Sequence, residues 1–407
     1  MPTVREPLLI LIGAGASVGF APSSEALTAR LKEWDPDNRG RGLFEPYLSV
    51  LSQDDTSQAN FEDLIALLDE LRDRWRSRTT PSHEWALAAL EAKRRPAAWP
   101  IVHAAIRTYE PPGHRRSANH SFALNWLAHD ARAYVLEHIW QSVAAVTGHE
   151  LREAPINRTI RVLAEHFQCT VASLNYDHVL DYLGIPLDHG FNPFTDQPAP
   201  FDPSWELRAV PDDAIRFLPL HGSVHFGFGR KFPGQIRWFP QIEQAADSWS
   251  TIQEAFRRQD HHEPLMVAGR DKTRHLLASP YSAYHAALRR SAMTIDNWLI
   301  IGYSGADRHI NTMLHDALAV HIQSQRRLSV TTIGLGAGGV FHAIWAIGSH
   351  SDLPWVAMPG PDGGPWSPLK VAARDMGYAL GFSYTGGIES VKPTELIQRI
   401  HWQEPYP

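Results

Sequence analysis

The segment Leu8-Leu9-Ile10-Leu11-Ile12-Gly13-Ala14-Gly15-Ala16-Ser17 constrains the fold more than any other feature of this chain. Five apolar residues run directly into a loop made only of glycine, alanine and serine. A short apolar run bounded by glycines reads as a strand buried on both faces. The glycines allow a sharp turn and a close approach of backbone to a phosphate, and the small residues keep that surface open. The pattern predicts a nucleotide held at the end of a parallel strand. It departs from strict G-x-G-x-x-G, because Val18 stands at the last glycine position and the next glycine is Gly19. A glycine-rich strand-to-helix turn without a ligand would show the same residues.

Bulk properties narrow the class. A chain of 407 residues suffices for one large core or two domains. A net charge of -6 argues against nucleic-acid binding through a basic face. The single cysteine, Cys169, excludes an internal disulfide and a cysteine-based zinc cluster. The first apolar run is too short for a signal peptide, and no stretch approaches the roughly 18 apolar residues of a membrane span. The expectation is a cytoplasmic protein without a membrane partner. The 14 tryptophans favour an oligomer, because aromatic anchors are enriched at interfaces as well as in cores.

Beyond Gly19 the pattern turns helical. Phe61, Leu64, Ile65, Leu68 and Leu71 recur at helical steps with Glu62, Asp63, Asp69 and Arg72 between them, which predicts an amphipathic helix serving a core or an oligomer contact. A further helix is predicted from His83 to Leu90, loops at Arg94–Pro96 and Glu110–Gly113, and a long helix from Ser121 to Val146. So much helix between two strands reads as an insertion or layer beside a sheet. Strand signals return at Cys169–Leu174, Ile215–Leu220, Trp298–Gly302 and Leu328–Ile333, the last ending at Gly334. Strands separated by helices indicate a parallel sheet covered by helices, with ligands outside the carboxyl ends of the strands.

The residues just after the strands therefore matter most. They are Asn175-Tyr176-Asp177-His178-Val179-Leu180, His221-Gly222-Ser223-Val224-His225, Tyr303-Ser304-Gly305-Ala306-Asp307 and Leu335-Gly336-Ala337-Gly338-Gly339. Together with Gly13–Ser17 they resemble, in order, the motifs of the sirtuin family, specifically its bacterial sirtuin-like NAD-consuming branch in anti-phage defence. Gly13-Ala14-Gly15-Ala16-Ser17 matches the GAGAS loop. Asn175 and Asp177 match a Thr-x-Asn-x-Asp motif in which Ser173 replaces threonine. His221-Gly222 matches the His-Gly of the family, and Gly302-Tyr303-Ser304 with Asp307, Ile310 and Asn311 matches GYS-x-x-D-x-x-I-N.

The resemblance implies an α/β fold: a Rossmann-like parallel sheet of the sirtuin type, with a large helical insertion after the first strand. Family deacylases carry a zinc module with paired cysteines after the His-Gly strand. The stretch from Phe226 to His285 has no cysteine, so no zinc module and no metal are expected, and Phe226–Gly234 reads as a hairpin or loop. The expected organisation is a sirtuin-like NAD-binding catalytic domain over 1–345, with insertions at about 21–155 and about 226–290, and a C-terminal cap or docking segment over 346–407. That last segment, with Trp355, Trp366 and Trp402, could equally close the core.

For the implied chemistry, NAD holds its cationic nicotinamide through a glycosidic bond, and cleavage passes through an oxocarbenium-like transition state. Asn175 is expected to hold a water or a ribose hydroxyl with its amide, or to cap the next helix. Asp177 orders its loop, holds a ribose hydroxyl, or caps. His221 is the expected general base. Gly13, Ala14, Gly15, Ala16 and Gly222 line the nucleotide. Ser17, Gly302 and Ser304 contact phosphate or ribose through N–H groups and hydroxyls. Asp307 caps or orients its loop, and the run from Gly334 to Gly339 admits the adenosine half or is a flexible turn. His225 is expected outside the site, and His261-His262 in a loop without metal-ligand spacing.

The function implied is an NAD glycohydrolase yielding nicotinamide and ADP-ribose, gated by assembly, with a HerA-type ATPase or a short Argonaute as possible partner. The alternatives are an NAD-dependent deacylase or ADP-ribosyltransferase, and a non-catalytic subunit whose assembly senses NAD or ADP-ribose.

Overall fold

The computed structural model describes residues 5–34, 44–45, 48, 60–76, 120–191, 199–229, 235–239, 262–264, 266–267, 276, 278–324, 326, 328–334, 355–357, 366–372, 378–384 and 387–400. The predicted helix at His83–Leu90, the loops at 94–96 and 110–113, the run 335–339, His261 and Trp402 lie outside the described residues.

Strand β1 (Glu6–Ile12) lies in the interior of a nine-stranded sheet. It pairs in parallel with β2 (Phe167–Ser173) on one side and with β9 (Asn297–Ile301) on the other. Outward from β2 come β5 (Ile215–Pro219) and the two-residue β3 (Leu187–Asp188). Outward from β9 come β10 (Leu328–Ile333) and β13 (Tyr378–Tyr384), both parallel. Then β12 (Trp366–Ala372) and β11 (Trp355–Ala357) finish that edge antiparallel. Residues 346–407 thus contribute three strands to the same sheet. A smaller antiparallel sheet holds β4 (Ala199–Pro200), β6 (Phe226–Gly229), β7 (Ile236–Trp238) and β8 (His262–Pro264). There β6 pairs antiparallel with β7; of the stretch Phe226–Gly234, expected as a hairpin or loop, residues 226–229 form β6 and 230–234 lie outside the described residues.

Both faces of the central sheet are buried, which is why β1 is continuously apolar. Leu9 and Leu11 point into one core with α6 (Tyr281–Thr294) and α7 (Arg308–Gln323). Leu8, Ile10 and Ile12 point into the opposite core with α5 (Pro155–His166) and α8 (Pro393–Ile400). The result is a three-layer α/β/α arrangement. Because α6 packs on β5 and α7, it belongs to the covering layer, although the expected second insertion ran to about 290.

Helices between β1 and β2 build most of a third core. It contains α1 (Ser24–Glu33), α2 (Phe61–Arg76) and α3 (His120–Ala144), followed by the short α4 (Gly148–Arg152). Local chemistry marks their starts. Ser23 Oγ accepts from Ala26 N–H at 3.2 Å. Asn60 Oδ1 accepts from the N–H groups of Glu62 and Asp63, while Asp63 Oδ2 accepts from Asn60 N–H, a reciprocal cap. Thr147 and Glu150 form a capping box on α4. Phe61, Leu64, Ile65 and Leu68 on the predicted stripe are buried in this helical core.

Register sets the functional rim. Ile12 pairs with Ser173 and Ile301, Ser173 with Pro219, and Ile301 with Ile333. Five adjacent strands therefore end level, and the residues that follow them meet on one edge. The chain fills β2 and β5 on one side of β1 before crossing to β9 and β10, so the order reverses between β1 and β9. That is where open α/β sheets place their ligand crevice.

Candidate active site

The loop after β1 closes as one tight turn over Ala14–Ala16. Four N–H groups of Gly13–Ser17 are committed within the protein. Gly13 N–H donates to Ile301 O at 2.9 Å, Gly15 N–H to Gly302 O at 3.0 Å, Ala16 N–H to Gly13 O at 3.0 Å and Ser17 N–H to Ala14 O at 3.2 Å. Gly302 N–H donates to Ile333 O at 2.8 Å. The N–H groups of Ser17 and Gly302, expected at phosphate or ribose, bond main-chain carbonyls in this structure. The glycines serve a backbone-to-backbone contact across the crossover point. A Cβ on Gly13 would lie 2.6 Å from Gly302 O, and one on Gly302, which has φ +63°, would lie 2.3 Å from Ala16 N.

The side chains at the rim interlock. Ser17 is buried, and its hydroxyl accepts from Asn175 Nδ2 at 3.0 Å. Both side chains favour the ionised form of the neighbouring Asp177 carboxylate. Asp177 Oδ1 accepts from Val179 N–H at 3.1 Å, so Asp177, not Asn175, caps the turn after β2. Burial raises the Asp177 carboxyl above its ordinary range, and the nearby Ser17 hydroxyl and the Val179 hydrogen bond oppose that rise. With Nδ2 engaged by Ser17, Asn175 presents Oδ1, which is buried and has no hydrogen-bond partner. A buried acceptor of this kind has a place for a hydroxyl or a water.

His221 follows β5 and is buried, with Gly222 at φ +110° behind it. Its Nε2 lies 2.9 Å from Asp307 Oδ2. Asp307 begins α7 but makes no capping bond with its side chain. The expected cap is absent because the carboxylate is drawn to histidines instead, with Oδ1 2.6 Å from His309 Nδ1. The loop is held by other groups. Tyr303 OH donates to Asn311 Oδ1 at 2.7 Å, and Asn311 Nδ2 donates to Gly305 O at 2.7 Å. Ser304 is exposed beside them. Gly334 is buried, and its carbonyl accepts from Gly387 N–H at 3.2 Å.

Two further histidines complete the setting. His309 has a buried Nε2 without a partner. The His285 ring lies 5.2 Å from that of His309, with Nε2 3.4 Å from Leu220 O. Burial, then the neighbouring His309 and His221, push His285 down to about 3, so it is neutral at physiological pH. Motif spacing did not single out His309, although it stands two residues after Asp307. His221, Asp307 and His309 offer ligand atoms within 4.8 Å of one another, a donor set suited in kind to a transition metal. Their separations of 2.9 and 2.6 Å are those of N–H···O hydrogen bonds. His225 stands apart, held between Asp181 Oδ2 at 2.8 Å and Phe239 O at 3.0 Å and stacked on Trp238.

No protein-family model matches the chain, and no curated protein matches it. Among solved structures, one described as the structural basis of sirtuin substrate affinity aligns with a TM-score of 0.32 and 10% identity, covering 81% of this chain and 84% of that chain. The fold assignment rests on the strand order and register given above. Among the described residues, no helix is long and apolar enough to cross a membrane.

Proposed function

We propose that this chain is an NAD glycohydrolase. The observation that carries the reading is the pairing, on one rim, of the open acceptor Asn175 Oδ1 with His221 held by Asp307. The motif resemblance supplies the substrate. In the proposed reaction a water oxygen bonds to the ribose C1′ as the glycosidic bond to nicotinamide breaks, and nicotinamide leaves with the bonding electrons. Asn175 Oδ1 accepts a hydrogen bond from the attacking water or a ribose hydroxyl and orients it. In this reading a carboxylate beside Nε2 places the imidazole hydrogen there, and the ring takes the proton of the attacking water. Asp307 then stabilises the imidazolium that forms. Ser17 holds Asn175 in place.

The same resemblance suggests defence against phage by NAD depletion, within a homo-oligomer and with a HerA-type ATPase or short Argonaute partner. An enzyme that consumes NAD must be gated to spare its host, and the helical insertion is the element available for that. Deacylation is the less favoured reading, because the single cysteine leaves no zinc module. The test is nicotinamide release from NAD by purified protein, alone and with the products of adjacent genes, set against release of an acyl group from an acyl-lysine peptide.

A further inference from the structure

Tyr176 lies between the two motif residues Asn175 and Asp177, yet its ring does not join either core of the sheet. It is buried in the core of the helical insertion. Two other residues from outside the insertion share that core: Val224, three positions after His221, and Met266, which precedes Val267. Each is joined to the rim by a main-chain bond. Val224 N–H donates to Tyr176 O at 2.9 Å, and Val267 N–H donates to His221 O at 3.0 Å. The Tyr176 hydroxyl closes the circuit, lying 2.8 Å from Val267 O and 3.2 Å from Glu62 Oε1. Its single proton is shared between the two acceptors.

Glu62 is rigidly presented. It occupies the first turn of α2, where the helix dipole favours a carboxylate, and its own N–H is capped by Asn60. Thr28 of α1 in turn fixes that turn by accepting from Phe61 N–H at 2.9 Å. The Phe61 ring meets the Tyr176 ring edge-on, 6.5 Å between centroids. The inserted helices and both catalytic loops are thus parts of one packed unit.

We propose that Tyr176 and Glu62 are positioning residues through which the helical insertion sets Asn175 and His221 together. A displacement of α2, by assembly or by a bound protein, then changes both loops at once. The proposal rests on the reading of the rim as an NAD-cleaving site, and supplies its gate.

The test combines amide hydrogen exchange with kinetics on the full-length chain, using Glu62→Ala, Glu62→Gln, Tyr176→Phe and the Glu62→Ala/Tyr176→Phe pair. Loss of the hydrogen bond should speed exchange of the Asn175, Val179, Val224 and Val267 amides by about five-fold, the effect of losing roughly 1 kcal/mol. The β1 and β9 amides should be unchanged. Glu62→Gln keeps the acceptor and should behave as the parent, and the double variant should be no worse than Tyr176→Phe. In an active preparation kcat should fall with KM for NAD unchanged. Unchanged exchange, additive effects, or a uniform rise across the sheet would overturn the proposal. Exchange is read without turnover, so an inactive parent chain would count against NAD cleavage and leave the coupling to be decided by these amides.

Discussion

Asp307 holds two histidines at once, His221 through Oδ2 at 2.9 Å and His309 through Oδ1 at 2.6 Å. The carboxylate is only slightly exposed, 12% of its side chain, so solvent screens these contacts little. Its position explains how a histidine at the end of β5 can be held by a residue that follows β9, across the two intervening strands β2 and β1. Asp307→Asn keeps the shape and removes the charge. Nicotinamide release should fall by about 10²-fold or more, the scale of a lost acid–base contribution. Calorimetry should show NAD still bound. Release at the parent rate would remove Asp307 from the reaction.

His309 is the second arm of the same carboxylate. Replacing it with Gln removes one hydrogen bond to Asp307 and leaves the one to His221. The expected outcome is a smaller loss of rate than for Asp307→Asn, with a displaced pH–rate profile. A titration with Zn²⁺, parent against His309→Gln, reports separately on the donor set. Tight binding by the parent, lost in the variant, would show that a metal displaces the hydrogen bonds there.

The glycines at the crossover between β1 and β9 answer to stability. Gly302→Ala puts a Cβ 2.3 Å from a backbone nitrogen at a positive φ. Overpacking and backbone strain together should cost about 2 kcal/mol or more. Thermal unfolding would read this as a lower midpoint. Gly19 has a φ of +90° but nothing within 4 Å of a built Cβ, so Gly19→Ala should cost less. Equal midpoints for the two variants would contradict the close loop-to-loop contact.

Stability should fall on the acid side. Burial pushes His178 and His189 down to about 4, and His285 to about 3. The unfolded chain protonates these rings near 6.5, so between there and about 4 it binds more protons than the native state. The stability they contribute is complete above about 6.5 and is lost as pH falls. Glu137 works in the opposite sense. Burial raises it to about 7, so the native state holds its proton longer and stability falls as pH rises from about 4.5 to 7. Urea midpoints across pH should show both limbs, and Glu137→Gln should flatten only the upper one. A profile without an acid limb would contradict buried neutral histidines.

Much of this was legible before the fold. The run Leu8–Ile12 marked β1 because both faces are buried, and its extension to Glu6 was not, because Glu6 and Pro7 are exposed. The residue-long register match of the parallel strands brings Ser17, Asn175, His221, Gly302 and Asp307 to one rim. The small sheet was mostly illegible, since strands of two to four residues carry no periodicity. So was the role of Glu62. Amphipathic spacing assigns it to the polar face of α2, and only tertiary packing turns that position toward Tyr176. The same holds for Tyr176, the variable position inside its own motif.

Nicotinamide release from NAD by the parent chain and by Asn175→Ala and His221→Ala, measured with NAD binding on the same samples, tests the central claim most directly. The account predicts release by the parent, under its activating condition, and its loss in both variants while NAD still binds. Release that survives both substitutions, or a parent that binds NAD and never releases nicotinamide with or without the products of adjacent genes, would contradict it.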